Sequence, residues 1–270
     1  MFDRFSRSLE LTKQSYRVLM QDKELLLLPL LSALAILLVV GSFVVGALAV
    51  NGFEAPEGEV SSALFGLAFY VSSYTIAFFF QAALIAGALE RMRGGDPTLG
   101  SALGAALRRA GPILLWGVVA GTVGLLIKSI QERGNLLTKI VMALVGTAWS
   151  LATWFMVPVL VLEERPLGES FQRSVKLFKQ TWGETFVGNI GLGAAQFLVA
   201  LLVVALCAPL FLVSEVAAIV VGAVLLVASG VFFSALGGVY TASLYRFATS
   251  NVVPTGFDRA LLAGAFRPKG

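Results

Sequence analysis

Apolar residues fall into six long blocks, 25–50, 63–89, 113–130, 140–162, 185–212 and 216–248, and the short stretches between them hold nearly all of the charge. Each block is close to the roughly 20 residues with which a helix crosses a bilayer. The pattern therefore predicts six transmembrane helices. The second block is nearly uninterrupted, Gln81 being its most polar residue. The last two form one apolar tract broken only at Ser214-Glu215, just after Pro209. That tract must turn back there, because a single straight helix would far exceed the ~30 Å hydrocarbon core.

The polar segments between the blocks carry a second pattern. Residues 5–16 read Phe-Ser-Arg-Ser-Leu-Glu-Leu-Thr-Lys-Gln-Ser-Tyr, and 171–182 read Phe-Gln-Arg-Ser-Val-Lys-Leu-Phe-Lys-Gln-Thr-Trp. Six positions are identical and three more are close exchanges, without a gap. A weaker third copy starts at Leu99-Gly100-Ser101, parallel to Leu167-Gly168-Glu169. Each copy precedes a pair of spans, so the chain reads as an all-α polytopic membrane protein. It is built as three parallel repeats of one cytoplasmic interfacial amphipathic helix plus one transmembrane hairpin. The units are 1–95, 96–163 and 164–250, with 251–270 as a cytoplasmic interfacial tail, all within one transmembrane domain. Parallel repeats are related by an axis along the membrane normal, unlike inverted-repeat transporters. Leu167, Phe171, Val175, Phe178 and Trp182 share one helical face, and Phe2, Phe5, Leu9, Thr12 and Tyr16 form the equivalent stripe. Such helices lie in the interface with the basic face toward anionic headgroups, or brace the spans from below; the two roles are compatible. Asp96-Pro97 reads as the capped start of the middle copy.

Composition confirms the class and removes others. Hydrophobic residues make up 57% and charged residues 13%, with a mean hydropathy of +0.86, against about 45–50% and about 25% in soluble domains. A soluble enzyme, a disordered regulator and a disulfide scaffold are excluded. The chain has no histidine and one cysteine, Cys207, so His-ligated metal sites, zinc clusters and internal disulfides are absent. The placement of the few charges then fixes the expected orientation. Seventeen of the twenty Lys and Arg lie in the N-terminal segment, the connections after spans two and four, and the C-terminal tail. The opposite face has only Lys128, Arg133 and Lys139, beside an acidic first loop. By the positive-inside rule both termini are expected in the cytoplasm, at the inner membrane. Ala47-Leu48-Ala49 resembles a cleavage site, but a 24-residue polar leader and a 26-residue apolar run are too long for a signal peptide. An uncleaved anchor is expected.

No ionisable side chain lies near the middle of any span, which argues against ion-coupled transport and membrane-embedded hydrolysis. No catalytic residue, cofactor or metal site is expected. Two groups of candidate residues remain. Arg7, Lys13, Arg17, Arg108, Arg109, Arg173, Lys176 and Lys179 are candidates for anionic-lipid headgroups, each worth roughly 1 kcal/mol near an anionic surface. Gln81, Thr147, Ser150, Thr153, Asn189 and Gln196 are candidates for a polar lining or for interhelical hydrogen bonds. Small residues at packing spacing, Gly117/Gly121, Ala83/Gly87, Gly146/Ser150 and Gly230/Ser234, predict close helix contacts. Gly188, Gly191 and Gly193 are read as a close-packed stretch with a hinge as the alternative. Pro29 and Pro158 fall near span ends, where a lost hydrogen bond matters least. Gly94-Gly95 reads as a loop and lacks the lysine of a phosphate cradle.

Several stretches together resemble a prokaryotic family of multi-pass membrane proteins that carries only a domain-of-unknown-function label. They are Arg91-Met-Arg-Gly-Gly-Asp-Pro-Thr-Leu, Ala148-Trp-Ser-Leu-Ala-Thr-Trp-Phe-Met-Val-Pro-Val-Leu-Val, Lys179-Gln-Thr-Trp-Gly-Glu and the end from Gly256-Phe-Asp-Arg to Lys269. The resemblance implies a six-span bacterial or archaeal membrane protein and carries no activity or ligand. The tail departs from it at Asp258-Arg259, where the family suggests a more acidic run. Two function classes follow. The first is a non-enzymatic passive pore or transport component with an uncharged polar lining. The alternative is a membrane-organising or partner-binding scaffold that acts through its basic helices. Expected partners are the bilayer, with anionic lipids, and a second copy or another membrane protein; nucleic acid is not among them.

Overall fold

The structure, a computed structural model, describes the backbone of residues 2–51, 59–250 and 256–257, and the side chains of 9–49, 61–181, 190–250 and 256–257. Every regular element among them is helical, which is how a chain in hydrocarbon satisfies its own backbone groups. In order these are α1 (Phe2–Gln21), a 3-10 turn (Lys23–Leu26), α2 (Leu27–Asn51), α3 (Glu59–Met92), α4 (Leu99–Leu107) and α5 (Ala110–Arg133). Then come α6 (Leu136–Ala152), α7 (Met156–Leu162), α8 (Leu167–Cys207), a second 3-10 turn (Ala208–Leu212) and α9 (Glu215–Ser250). Six helical stretches are long and apolar enough to cross a membrane: Lys23–Ala49, Ser61–Met92, Ala110–Arg133, Leu136–Leu162, Ile190–Leu212 and Glu215–Ser250. They coincide with the six apolar blocks. The turn expected near Ser214 is present: Pro209 sits at the start of the second 3-10 turn, and the Ser214 hydroxyl accepts from the Ala217 amide at 3.3 Å, as a helix N-cap does.

The chain forms two compact units. The first comprises Met1–Leu30, Gly87–Leu99 and Lys179–Gly270; the second comprises Leu31–Ala86 and Gly100–Phe178. In the first, α1 packs on α9. Leu11, Ser15, Val18 and Leu19 are buried on one face of α1, and Ala235, Leu236, Val239, Tyr240, Ala242 and Leu244 are buried on α9. The end of α3 is closed by a Schellman motif: the Gly95 amide donates to Glu90 O at 3.0 Å and the Gly94 amide to Arg91 O at 2.9 Å. Gly94 has φ +86°, a left-handed conformation that glycine alone adopts without strain. Gly94→Ala is expected to lower the unfolding free energy by about 1 kcal/mol, visible as a lower Tm of the purified protein in detergent.

In the second unit α5 lies against α3 with almost no side-chain spacer. A Cβ at Gly121 would stand 2.9 Å from the Val71 backbone nitrogen, and one at Gly117 would stand 3.1 Å from Thr75 Cα. A chain of stacked or tilted rings runs through the same unit, Tyr70, Tyr74, Phe78, Trp116, Trp149 and Phe171, with successive centroids 5.6–6.1 Å apart. Trp116, Ala120, Met156 and Leu160 form its buried core.

Span four departs from the single helix read from its hydropathy. Proline has no amide to donate, and its ring clashes with the carbonyl four residues earlier. For Pro158 that carbonyl belongs to Trp154. The helix accordingly stops at Ala152 and restarts at Met156. The lost bond is therefore not a minor fault at a span end, because it divides the span. Further along, Gly191 and Gly193 lie in unbroken helix, and a Cβ on either would meet nothing within 4 Å among the described residues, so no close-packed contact is made there with them.

Candidate functional site

The segments that precede each pair of spans were the sequence's strongest candidates, and their burial follows a common register. In α8, Ser170, Ser174, Leu177 and Thr181 are fully buried at intervals of four, three and four, the spacing of one helical face. The matched positions Leu11 and Ser15 of α1 are fully buried as well. In the middle segment Ala102, Ala106 and Ile113, matched to Ser170, Ser174 and Thr181, are also buried. The face that meets the protein is thus the small and polar one beside the aromatic stripe. Of that stripe, Leu167 and Phe171 pack against the core of the second unit, while Leu9 and Tyr16 are 48% and 45% exposed.

Ser174 is the residue that sequence reasoning missed. Its hydroxyl donates to Ala152 O at 2.8 Å and accepts from the Phe155 amide at 3.1 Å. These are backbone groups set free by the break in span four, and an unpaired buried backbone group costs about as much as a lost hydrogen bond. One buried side chain closes both ends of the break. A signal was present: Ser174 belongs to the Arg-Ser pair shared by 7–8 and 173–174.

Ion pairs sort the basic candidates. Arg109 pairs with Glu164 at 2.7 Å, Arg173 with Glu163 at 3.0 Å, and Lys13 with Glu10 at 3.4 Å. Arg17, Arg108, Lys176 and Lys179 are exposed and make no ion pair among the described residues. Arg7 lies outside the residues whose side chains are described. Glu163 holds Arg165 as well, at 2.8 Å, and is itself largely buried between the two arginines. In the first unit Arg91 is bound by the buried Asp22 through two nitrogens and by Asp96 at 2.6 Å. Asp96 is thus an ion-pair partner; the first amide of α4, that of Leu99, donates instead to Glu24 at 3.2 Å. A side chain from outside the segment does the work that Asp96-Pro97 suggested for itself. Asp22 and Glu163 were legible only as acids at the ends of apolar blocks.

Thr147, Ser150 and Thr153 share one face of α6 and its end, but each hydroxyl donates to the carbonyl four residues earlier, Ala143, Gly146 and Trp149, at 2.9 Å. Thr147 and Ser150 are exposed. Gln81 is partly buried and Gln196 is exposed. The side chain of Asn189 lies outside the described residues, as does the tail 251–270 apart from Gly256 and Phe257. Four buried polar atoms of the second unit have no hydrogen-bond partner among the described residues, Ser73 Oγ, Thr75 Oγ1, Trp154 Nε1 and Arg109 Nη2, and of these only Arg109 has an ion-pair partner, Glu164. No cluster of three or more His, Cys, Asp or Glu side chains fit to hold a metal occurs among the described residues.

Nothing among curated proteins or solved structures matches the chain. The family comparison does: the model of the Family of unknown function (DUF6159) matches residues 60–256, from the second span to the turn after the sixth. With six helices long and apolar enough to cross a membrane and a match over most of its length, the chain belongs to that family of unknown function.

Proposed function

We propose that this is a non-enzymatic, multi-pass protein of the inner membrane that organises lipid on the cytoplasmic leaflet through basic amphipathic helices. Both termini are cytoplasmic, and three parallel repeats each present one such helix. The observation that carries the reading is the sorting of cations. Arg91, Arg109 and Arg173, which face the protein, are matched to carboxylates, whereas Arg17, Arg108, Lys176 and Lys179 are exposed and unmatched among the described residues. An exposed, unmatched cation at the membrane surface gains roughly 1 kcal/mol from anionic headgroups. The common register of buried positions supports the repeat. Changing these four residues together to glutamine is expected to reduce the enrichment of phosphatidylglycerol around the reconstituted protein in mixed vesicles, measured by quenching from labelled lipid. Unchanged enrichment refutes the reading.

The passive-pore reading retains one favourable observation. Ser73 Oγ, Thr75 Oγ1 and Trp154 Nε1 are buried without partners among the described residues, and buried polar groups are normally satisfied by protein or water. A hydrated passage past them predicts solute flux from liposomes that Thr75→Val abolishes. Against it, the hydroxyls of Thr147, Ser150 and Thr153 are already engaged by their own helix.

A further inference from the structure

Many hydroxyls inside the spans are satisfied by their own helices. Those of Ser42, Ser72, Thr122, Thr147, Ser150 and Ser229 each donate to a carbonyl three or four residues earlier, at 2.7–2.9 Å. Gln196 has no such outlet. Its carboxamide carries two N–H donors and an acceptor oxygen, and within a helix each backbone amide is already taken by the carbonyl four residues back. The oxygen therefore finds no donor on its own helix. Gln196 is exposed on α8, and its side chain makes no hydrogen bond among the described residues. It stands six residues beyond Ile190, where span five begins, which is about 9 Å along the helix. Phe197, Leu198 and Leu201 beside it are exposed. The amide is thus set in an apolar surface, where an unpaired polar group is costly.

Span six leaves this amide uncovered. Gln196, Val203 and Cys207 share one face of α8, at intervals of seven and four. Val203 and Cys207 are buried, and a Cβ at Gly222 of α9 would lie 3.6 Å from Cys207 Sγ. Two turns before Val203, Gln196 is exposed. Gly193 and Ala200 lie on the same side, three residues before it and four after. Gly193 is exposed, with nothing among the described residues within 4 Å of an added Cβ. Small residues there let a second helix approach the backbone closely. A partner must supply both a donor and an acceptor at the depth of Gln196. A second copy does so by symmetry, since chains inserted in one orientation are related by a twofold axis along the membrane normal, with identical residues at equal depth. A carboxamide is its own complement, so two facing Gln196 side chains exchange two hydrogen bonds, each N–H donating to the other's oxygen.

We infer that span five docks against span five of a second copy, with Gln196 and its counterpart hydrogen-bonded at the twofold axis and Gly193 and Ala200 flanking them. The contact uses the part of the helix short of Val203. A crossing of about 40°, common where small residues meet, carries the remainder of the two helices apart. None of the four cations behind the leaflet-organising reading takes part, so either can fail alone.

The test uses the full chain, reconstituted in liposomes at increasing lipid dilution, with donor and acceptor fluorophores on its C-terminus and energy transfer as readout. The natural chain is expected to form dimers that dissociate on dilution. Gln196→Leu should weaken the association about three- to thirtyfold, the effect of an interhelical hydrogen bond of about 0.6–2 kcal/mol. Gln196→Asn, which keeps the amide, should lie closer to the natural chain. In a Cys207→Ala background, which removes the one native cysteine, Gln196→Cys should give a disulfide-linked dimer on oxidation, because a residue beside a twofold axis faces itself. Leu198→Cys, also exposed but about 200° around the helix, should not. A chain that stays monomeric at the highest protein density overturns the inference. So does a dimer that Gln196→Leu leaves at full strength, or cross-linking through Leu198→Cys in preference to Gln196→Cys. The cysteine pair decides the case if Gln196→Leu does not fold.

Discussion

Ser174→Ala is expected to lower the unfolding free energy by about 1–3 kcal/mol, because the buried Phe155 amide loses its partner and the part-buried Ala152 carbonyl loses one too. The hydroxyl closes the break in span four, accepting from the Phe155 amide and donating to Ala152 O. Water does not substitute easily, since Ser174 is fully buried. Ser150→Ala is the control: that hydroxyl is exposed and donates only to its own helix, at Gly146 O, so its loss should stay within about 0.5 kcal/mol. The pair is measured by thermal unfolding in the same detergent. Equal Tm values for the two variants would show that the break in span four does not depend on Ser174.

Gly121→Val should destabilise the protein by about 1–3 kcal/mol or more relative to Gly46→Val, the cost of overpacking a close contact. The new Cβ at Gly121 meets the backbone of Val71 at 2.9–3.0 Å, and backbone cannot rotate away. At Gly46 nothing among the described residues lies within 4 Å of the new atom. Both glycines are inside helices, so the propensity of valine largely cancels between them. Unfolding in detergent reads the difference, and matched stabilities would mean that α3 and α5 are not in direct backbone contact.

These two sites show where sequence reading stops. Gly117/Gly121 and Gly230/Ser234 present the same spacing in the sequence, yet a Cβ at Gly117 collides with Thr75 while one at Gly230 meets nothing among the described residues. Spacing states which residues share a face; it does not state whether another helix lies against that face. The cations behave alike. Arg108 and Arg109 are adjacent and were equal candidates, but both lie in the turn between α4 and α5, where the path of the backbone sends the two side chains to different surroundings. Arg109 meets Glu164, and Arg108 is exposed. Thr147, Ser150 and Thr153 do share a face, as their spacing requires, but their hydroxyls bond within the helix.

What the sequence determined by itself is the number of spans, their approximate ends and the reversal at Ser214. These follow from apolar length and from turn residues such as Pro209, which act locally and need no partner. The resemblance to a family of unknown function was legible for a similar reason, since it rests on contiguous stretches. The tertiary structure alone decided the break at 153–155 and its closure by Ser174, the glycines that are contacts, and the arginines left without a carboxylate. Each of these depends on which way a helix is rotated toward a neighbour distant in sequence. Hydropathy summed along the chain carries no record of that rotation.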